Sequence, residues 1–312
     1  MKIAVLTTMY HSEAYINEFY ERNVACLKEL HTDYEFIFVD DGSPDNSLQK
    51  AIEIAQKDVN VKVIELSRNF GHHQALLTAL EVADADYYFL IDSDLEEAPE
   101  LLLTYWKTLQ ENPEYDVIYG IQPKRKGNWF ERVSGKWYYK FFHWISDIRY
   151  PADTLTARLM NKNYVQAILR YPEKELDLWC IFEIAGFKQK GIKVPKIYKG
   201  SSTYTLRRKF RMALNTITSM SHKPLYFIFY LGIFISTFAF LYILKAFWLF
   251  FSTNERVEGW TSLIVSVWAV GGLVLFSLGI IGIYLAKMFV EIKQRPRKII
   301  RSIYQKQNEA GN

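Results

Sequence analysis

Apolar runs alternate with helical patterns over the first 120 residues. The runs are short enough for strands and lie at 3–9, 34–40, 61–67, 87–94 and 115–120. Between them, apolar positions with helical spacing predict helices at about 12–30, 46–57, 73–83 and 99–111. Fully apolar strands separated by helices are typical of a mainly parallel sheet that is covered on both faces. We therefore predict an α/β fold for this part of the chain.

Two longer apolar stretches follow, at 225–251 and 261–290. Each reaches the roughly 20 residues that an α-helix needs to span a bilayer. Tryptophan and tyrosine residues lie near their ends, as is common at membrane surfaces. A pair of buried core helices is the alternative. We favour two transmembrane helices because the two stretches adjoin each other and carry these aromatic residues.

Basic residues flank this pair of stretches on its outer sides. Those before the first stretch are Arg207, Arg208, Lys209, Arg211 and Lys223, and those after the second are Lys287, Lys293, Arg295, Arg297, Lys298 and Arg301. The link between the stretches, STNERVEGW, carries one arginine and two glutamates. Because cytoplasmic loops carry the excess of Lys and Arg, we expect a hairpin with both chain ends in the cytoplasm. Lys245, inside the first stretch, is expected to snorkel to the outer interface.

These patterns divide the chain into four parts. We expect a cytoplasmic α/β domain at 1–205, a juxtamembrane amphipathic helix at 206–224, two transmembrane helices at 225–290 and a basic cytoplasmic tail at 291–312. The segment 206–223 mixes cations with aliphatic residues and runs directly into the first span, so we place it at the membrane surface. The similar segment 128–146 fits either a membrane-surface helix or an ordinary helix packed on the sheet.

The overall composition says more about the cellular compartment of the protein than about its function. The formal net charge of +4 is mild and gives no reason to expect a nucleic-acid partner. Cys26 and Cys180 lie far apart without a CxxC pair, so neither a disulfide framework nor a zinc site is predicted, and a reducing compartment fits. No signal peptide is visible, since the first apolar run is short and soon broken by polar residues.

Acidic residues follow two of the predicted strands. Asp40 and Asp41 end FIFVDD, and Asp92 and Asp94 end YYFLIDSD. Ligands of open parallel sheets bind beyond the carboxyl ends of the strands, so these acids predict a binding edge. Two carboxylates one residue apart suit Mg²⁺ or Mn²⁺, with Glu96 as a further ligand directly or through water. The alternative is that such acids only cap the following helix, a role that we prefer for the other two glutamates of this segment.

The order of several segments resembles one known family. VLTTMY, VDDGSPDNS, LSRNFGHHQALLTAL and LIDSDLEEAPE follow one another, and then come YGIQPKRKGNWFERVSGKWYYK, DTLTARLMNK and SSTYTLRRKFRMALNTITS. This order, with two membrane spans behind it, resembles the polyprenyl-phosphate glycosyltransferases of glycosyltransferase family 2. That group includes dolichol-phosphate mannose synthases and bacterial undecaprenyl-phosphate sugar transferases. The resemblance covers nearly the whole chain.

The resemblance implies a particular fold and reaction. The expected fold is GT-A, which is Rossmann-like with a mainly parallel sheet. The expected reaction moves a sugar from a nucleotide-sugar donor, a UDP-sugar, to a polyprenyl (undecaprenyl) phosphate. It is expected to need Mg²⁺ or Mn²⁺, to invert the anomeric carbon and to take place on the cytoplasmic face of the inner membrane. Relatives also lead us to expect a homo-oligomer.

The resemblance further assigns roles to individual residues. The nucleotide-sugar positions are Thr8, Tyr10, Asp40, Asp41, Arg68, Asp92 and Arg158, and the metal positions are Asp92, Asp94 and Glu96. The acceptor-phosphate positions are Arg125, Arg132, Ser134, Arg207 and Arg208, and the catalytic residues are Asp92, Asp94 and Arg132. Gln122 and Thr203 depart from the family, which commonly has arginine and lysine at these places.

The expected chemistry explains why these residue types are needed. The leaving group is a diphosphate, and a divalent cation bridging its oxygens neutralises the charge that develops on it. A phosphate monoester has a second pKa of about 6, so a lipid phosphate is largely a dianion at neutral pH and is already nucleophilic. A strong general base is then optional, whereas arginines draw the acceptor phosphate in.

Two other functions stay open from the sequence. One is a family 2 transferase that acts on a saccharide hydroxyl, such as a polysaccharide synthase, which usually shows a QxxRW-type segment and more spans than this chain has. The other is a catalytically silent membrane scaffold. The intact Asp41, Asp92 and Asp94 argue against the scaffold.

Overall fold

The computed structural model describes residues 1–122, 154–172, 178–194, 218, 221–253 and 259–306. These residues fall into two compact units. The first unit contains the described residues from 1 to 194 together with 295–306, and the second contains the others. The chain therefore returns to the first unit near its C-terminal end. The two predicted surface segments, 128–146 and 206–223, lie outside the described residues except for 218 and 221–223.

The first unit is built on one eight-stranded sheet. Its strands are β1 (Lys2–Met9), β2 (Asp33–Asp40), β3 (Val61–Leu66), β4 (Tyr87–Leu90), β5 (Val117–Ile121), β6 (Thr154–Asn161), β7 (Gln189–Lys193) and β8 (Ile300–Gln305). Their order across the sheet is β7-β5-β6-β4-β1-β2-β3-β8. The pairs β4–β1, β1–β2, β2–β3 and β5–β7 are parallel, whereas β6 and β8 run antiparallel to their neighbours. The predicted α/β fold with a mainly parallel sheet is confirmed.

Helices cover both faces of this sheet, as the apolar strands predict. One face packs against α1 (Ile16–Glu29), α2 (Ser47–Lys57) and α4 (Leu101–Glu111), and the other against α3 (His72–Val82), α5 (Lys162–Ile168) and α6 (Leu178–Ile184). Successive strand residues point to opposite faces, so Val5 lies in the first core and Leu6 in the second. Both side chains are fully buried, and such burial stabilises the fold by about 2 kcal/mol for each.

Strand β4 is shorter than the apolar run predicts. The run continues to residue 94, but pairing with β6 ends at Leu90. Beyond this point, the backbone N–H groups of Thr156 and Ala157 in β6 donate to the carboxylate of Glu97. The two aspartates of the run therefore lie in the turn after the strand and not on the strand itself.

Strand β8 is a feature that the sequence pattern does not reveal, because 291–312 reads only as a basic tail. It pairs antiparallel with β3 at the edge of the sheet, where Val63 stands opposite Tyr304. Arg301 and Tyr304 both bind the carboxylate of Glu65, at 2.7 and 2.8 Å. The strand is short and polar in part, and its partner is remote in sequence, so no local pattern predicts the pairing.

The second unit contains two long helices, α7 (Lys223–Thr253) and α8 (Trp260–Ile292). By length and composition both can cross a membrane, through Lys223–Tyr242 with a mean hydropathy of 1.9 and Ser266–Ile292 with a mean hydropathy of 2.2. Neither apolar window is buried within the described protein, so side chains such as Trp268 are exposed. This exposure argues against a pair of buried core helices, because a core helix hides its apolar surface.

Candidate active site

The carboxyl ends of the central parallel strands meet at one edge of the sheet. Strand β1 ends just after Thr8, and the turn that follows β4 carries Asp92 and Ser93. The hydroxyl oxygen of Ser93 lies 2.9 Å from both the Thr8 carbonyl oxygen and the hydroxyl oxygen of Ser12. These hydrogen bonds tie the acidic turn to the end of β1, so the separation of Thr8 and Asp92 is set by the fold.

Asp92 presents one carboxylate oxygen that the described protein leaves unused. Its Oδ2 accepts a hydrogen bond of 2.7 Å from the Thr156 hydroxyl. Its Oδ1 makes no hydrogen bond within the described residues, although it is shielded from solvent in this structure. The His72 Nε2 atom approaches Oδ1 to 3.5 Å, and the Asp92 side chain is 26% exposed. An unsatisfied carboxylate oxygen beside an open edge is suited to a cationic ligand, since buried polar atoms are normally paired.

Asp94 and Glu96 follow in the same turn and are half-buried. The Asp94 Oδ1 atom accepts a 2.9 Å hydrogen bond from the backbone N–H of Glu96, which folds the Asp94 side chain over its own loop. Leu95 between them adopts a positive φ of 59°, so the backbone reverses here. Within the described ranges, no group of three or more His, Cys, Asp or Glu side chains is placed to hold a metal ion. The predicted set of Asp92, Asp94 and Glu96 is therefore not a preformed three-ligand cage.

These residues nevertheless fit a divalent cation that arrives with a phosphate ligand. Mg²⁺ is commonly held by one or two protein carboxylates, with waters and substrate phosphates in the remaining positions. The unsatisfied Oδ1 of Asp92 would supply one such oxygen, and Asp94 lies two residues further on in the same turn. The arrangement is suited to binding a metal together with a diphosphate rather than the metal alone.

Asp41 holds two loops of this edge together. Its Oδ1 and Oδ2 accept hydrogen bonds of 2.7 and 3.0 Å from the backbone N–H groups of Phe70 and Gly71, just before α3. The side chain is buried, and burial raises its pKa. Gly42, the next residue, has a φ of +66°, and a Cβ there would stand 2.7 Å from the Asn69 nitrogen. Asp41 is predicted to bind the nucleoside, and in the structure both of its carboxylate oxygens bind the backbone just before α3.

Asp40 points to the other face of the sheet. Its Oδ2 accepts hydrogen bonds from the backbone N–H groups of Gly42 and Ser43, at 3.2 and 3.4 Å. It is 2% exposed, and burial raises its pKa to about 6. Glu65 lies opposite Asp40 in the β2–β3 register, and its charge contributes to this rise in pKa. Asp40 is thus a buried acid in the first core rather than a group on the surface of the site.

Tyr10 and Arg68 are the two predicted donor residues that are exposed. Tyr10 is 51% exposed and meets the His11 ring edge-on, with 4.7 Å between ring centroids. Arg68 places its guanidinium 4.3 Å from the centroid of the Phe70 ring and donates to the Asn69 carbonyl at 3.2 Å. Aromatic and guanidinium planes of this kind can stack on a nucleobase, so their exposure fits the predicted role.

Arg158 is buried in the second core. It is 2% exposed, and its guanidinium lies 3.7 Å from the centroid of the Phe182 ring and 4.8 Å from that of Trp179. Burial lowers its pKa, and the nearby Glu183 opposes that shift. Its Nε atom makes no hydrogen bond within the described part of the chain. The structure therefore places this predicted donor residue among aromatic rings, two strand positions inward from the Thr156–Asp92 contact.

A second network joins the loops after β1 and β2, and the sequence gives no signal for it. Three consecutive backbone N–H groups of the first loop donate to side chains of the second, in the pairs His11 to Ser43, Ser12 to Ser47 and Glu13 to Asp45. The two serine hydroxyls and the Glu13 and Ser47 backbone N–H groups bind the Asp45 carboxylate and lower its pKa to about 2. The network holds the backbone under Tyr10 in place.

Two residues of the site stand outside the predicted set. His72 contacts both Thr8 and Asp92, and Thr156 binds Asp92. A pair of adjacent histidines at the start of a helix carries no distinctive signal in sequence, nor does a threonine in a strand.

The predicted acceptor residues, Arg125, Arg132, Ser134, Arg207 and Arg208, lie outside the described residues. The acceptor half of the site therefore stays a prediction.

Comparison with known proteins identifies the class. The family model "Glycosyl transferase family 2" matches residues 4–169, which include the whole acidic edge described above. The chain belongs to this family, and it is a glycosyltransferase with the GT-A fold.

Relatives of similar length support the same assignment. A protein of Mycobacterium tuberculosis (strain CDC 1551 / Oshkosh) named "Putative glycosyltransferases" is 44% identical over 309 residues, covering 97% of this chain and 89% of that protein. The bactoprenol glucosyl transferase of Shigella phage SfII is 28% identical over 307 residues, covering 96% and 98%. Among solved structures, S. aureus TarS 1–349 in complex with UDP-GlcNAc aligns with a TM-score of 0.46 at 19% identity, covering 70% of this chain and 66% of that one.

Proposed function

We propose that this glycosyltransferase moves a sugar from a nucleotide-sugar donor to a polyprenyl phosphate at the cytoplasmic face of the membrane. The observation that carries the proposal is the unsatisfied Oδ1 of Asp92, at the carboxyl edge of a chain that also has two exposed apolar helices. A metal–diphosphate site and a membrane anchor in one chain are what transfer to a lipid phosphate needs.

The donor is assigned to the edge between β1 and β4. Thr8 and the exposed ring of Tyr10 lie on one side of it, and Asp92 with Asp94 lies on the other. The nucleoside would bind near the first pair and the diphosphate near the second. A UDP-sugar is the donor that we expect. Mg²⁺ or Mn²⁺ bound by Asp92 and Asp94 would stabilise the charge on the departing diphosphate.

The lipid acceptor is supported by the relatives and by the two apolar helices. A relative that matches along nearly its full length is named as a bactoprenol glucosyl transferase. Helices α7 and α8 expose apolar side chains along candidate spans of 20 and 27 residues. Their basic flanks favour a hairpin with both chain ends in the cytoplasm, which places the catalytic domain on the side where nucleotide sugars are made.

The reaction we propose is a single displacement. An oxygen of the lipid phosphate attacks the anomeric carbon from the face opposite the diphosphate, and the bond from that carbon to the diphosphate oxygen breaks. The nucleoside diphosphate leaves, and the configuration inverts. Asp92 and Asp94 would hold the divalent cation that neutralises the departing diphosphate. We assign Arg125, Arg132, Ser134, Arg207 and Arg208 to the acceptor phosphate, where cations offset its repulsion from the donor.

A transfer assay tests this proposal. Membranes containing the protein are incubated with undecaprenyl phosphate and a panel of labelled UDP-, GDP- and TDP-sugars, with Mn²⁺, with Mg²⁺ or with EDTA. We expect label to enter the chloroform-soluble lipid with one donor, and to depend on the metal. A panel in which no donor labels the lipid, while label enters a water-soluble saccharide instead, would support the hydroxyl-directed alternative.

A pair of matched variants tests the metal assignment in the same assay. Asp94→Asn removes the charge from the acidic turn, and we expect a loss of transfer of at least about 100-fold, as for removal of a key electrostatic group. Asp33→Asn makes the same change at an exposed residue that begins β2, at the end of that strand remote from the acidic edge, and it should leave transfer unchanged. Equal transfer by the two variants would show that Asp94 is not part of the metal site.

A further inference from the structure

His72 stands between two residues of the candidate donor site. Its Nδ1 lies 3.1 Å from the Thr8 hydroxyl oxygen, and its Nε2 lies 3.5 Å from the Asp92 Oδ1. Thr8 is in β1 and Asp92 follows β4, and these two strands are neighbours in the sheet. A single imidazole ring therefore bridges the nucleoside side and the diphosphate side of the site.

The position of the ring is fixed by the start of helix α3. His72 is the first residue of that helix, and Gly71 before it has a φ of +97°, which favours glycine. The backbone N–H of Gly71 donates to Asp41, so the helix start is tied to the end of β2. The helix itself packs on the sheet through fully buried residues such as Ala75. The His72 side chain thus projects from a rigid support.

The chemistry of the three groups sets the direction of both contacts. A carboxylate oxygen can only accept, so Nε2 must carry a proton to interact favourably with Asp92. The Thr8 hydroxyl can then donate to the unprotonated Nδ1. The Nε2-protonated tautomer of His72 serves both neighbours at once, in one directed chain from Thr8 to Asp92.

Asp92 is thereby held from two sides without being saturated. Thr156 donates to Oδ2 at 2.7 Å, whereas the 3.5 Å distance from His72 to Oδ1 is longer than a hydrogen bond. The His72 side chain is 43% exposed and that of Asp92 is 26% exposed, so both lie at the rim of the site, although the Asp92 Oδ1 atom itself is shielded from solvent. The carboxylate is oriented through Oδ2, while Oδ1 makes no hydrogen bond within the described residues.

We propose that His72 is a positioning residue for donor binding. It orients the Asp92 carboxylate towards the divalent cation that accompanies the donor diphosphate, and it links that carboxylate to Thr8. The inference rests on the proposed donor site and extends it to a residue outside the predicted set. Partners that orient metal ligands in this way typically change metal affinity by about 10- to 100-fold when removed.

Two substitutions separate the two ends of the imidazole ring. His72→Asn keeps a polar atom near the Nδ1 position, next to Thr8, but has nothing at Nε2. His72→Gln keeps an N–H donor near the Nε2 position, next to Asp92. The measurement is calorimetric binding of UDP, GDP, TDP and CDP to the detergent-solubilised full chain, in Mn²⁺ and in EDTA. The gain in affinity that Mn²⁺ gives to the diphosphate that binds best reports on Asp92.

We expect His72→Asn to reduce this gain by about tenfold or more, while binding in EDTA stays at the wild-type value. We expect His72→Gln to keep most of the gain. A merely structural role would weaken binding equally in Mn²⁺ and in EDTA. The matched control is His73→Asn at the adjacent histidine, whose Nδ1 accepts a hydrogen bond from the Leu178 backbone N–H, and it should bind like the wild type.

The outcomes distinguish this inference from the proposed function. A gain from Mn²⁺ that is the same in the wild type and in His72→Asn overturns the positioning role and leaves the donor site intact. A wild-type protein that binds none of the four diphosphates more tightly in Mn²⁺ overturns both. Loss of the gain in His72→Asn with its retention in His72→Gln supports the inference.

Discussion

Arg301 reaches Glu65 across 236 residues of sequence, and its Nη1 lies 2.7 Å from the Glu65 Oε1. Glu65 is 7% exposed and also accepts a hydrogen bond from the Tyr304 hydroxyl at 2.8 Å. A carboxylate so deep in the protein needs such partners, because an unpaired buried charge is costly. The sheet of the catalytic domain is therefore completed by a strand that is synthesised after both apolar helices.

Removal of the Arg301 side chain should weaken the catalytic domain. Arg301→Ala leaves Glu65 with the tyrosine alone, and we expect a loss of about 1 kcal/mol, since the arginine itself is 59% exposed and screened by solvent. The measurement is the thermal unfolding midpoint of the detergent-solubilised protein, expected to fall by about 2–4 °C. Lys306→Ala, which removes an exposed cation at the end of the same strand, is the control and should not shift the midpoint.

The Glu97 carboxylate should matter for stability and for the site together. Glu97 is 1% exposed, and its two oxygens accept the N–H groups of Thr156 and Ala157 at 3.1 and 2.6 Å. Glu97→Ala leaves these donors unsatisfied, and we expect a loss of about 2–4 kcal/mol in the free energy of unfolding. Because the Thr156 hydroxyl binds Asp92, metal-dependent donor binding should weaken as well.

A neighbouring glutamate provides the comparison for this prediction. Glu100 is exposed and pairs with Arg22 at 2.7 Å, so Glu100→Ala removes only a surface ion pair worth about 0.5 kcal/mol. Thermal unfolding and diphosphate binding in Mn²⁺ are measured on both variants. Glu97→Ala that behaves like Glu100→Ala would mean that Glu97 only caps the following helix, as the sequence suggests.

Asp40 should make the protein less stable as the pH rises. Its pKa is raised by burial from 3.8 to about 6, so the folded state holds this proton more tightly than the unfolded state. The resulting stabilisation is complete below about pH 4 and is lost as the pH rises through 6. Asp40→Asn removes the charge and should raise stability at pH 7.5 by at most about 3 kcal/mol.

The test of the Asp40 prediction is a difference between two pH profiles. Other carboxylates, such as Asp45 with its pKa lowered to about 2, make the protein more stable as the pH rises. Their contributions are the same in the wild type and in Asp40→Asn, so they cancel in the difference. Unfolding midpoints are measured from pH 4.5 to pH 8. The unfolding midpoint of Asp40→Asn should rise relative to that of the wild type as the pH increases. A constant difference between the two midpoints across this range would show that Asp40 keeps an ordinary pKa.

Gly42 should tolerate no side chain. A Cβ at this residue would stand 2.7 Å from the Asn69 nitrogen and 2.9 Å from the Arg68 carbonyl carbon, and its φ of +66° is strained for other residues. Gly42→Ala should cost more than about 2 kcal/mol and should weaken diphosphate binding through the displaced loop. In contrast, Gly71→Ala has no atom within 4 Å of the new Cβ, so only the strain of its φ of +97° applies. Equal unfolding midpoints for the two variants would show that the predicted clash at Gly42 does not destabilise the protein.

The membrane hairpin should expose its link on the outer side. In intact cells, a membrane-impermeant maleimide should label Glu255→Cys, between the two apolar stretches, and should not label Lys306→Cys. Both should react after permeabilisation. The native Cys26 and Cys180 are buried, so they add little background. Labelling of Lys306→Cys in intact cells would reverse the proposed orientation.

Much of the fold follows from local sequence. The apolar runs of β1 to β3 and the spacing of α1 to α4 predict those elements within a few residues, because burial of strands and helices leaves its period in the sequence. The length and apolar composition of α7 and α8 can likewise be read directly from the sequence. The acidic edge at Asp41 and Asp92 is predictable too, since parallel strands bring their carboxyl ends together.

Other features depend on contacts between remote segments of the chain. Strand β8, the burial of Arg158 among aromatic rings and the binding of β6 by Glu97 all join segments that are far apart in the chain. The same is true of the two residues, His72 and Thr156, that hold Asp92. In contrast, the presence of carboxylates at the binding edge follows from local sequence, because it depends only on where each strand ends and on its direction. Which carboxylate oxygen makes a hydrogen bond depends on strand order, because β6 lies beside β4 and brings the Thr156 hydroxyl to the Asp92 Oδ2 atom.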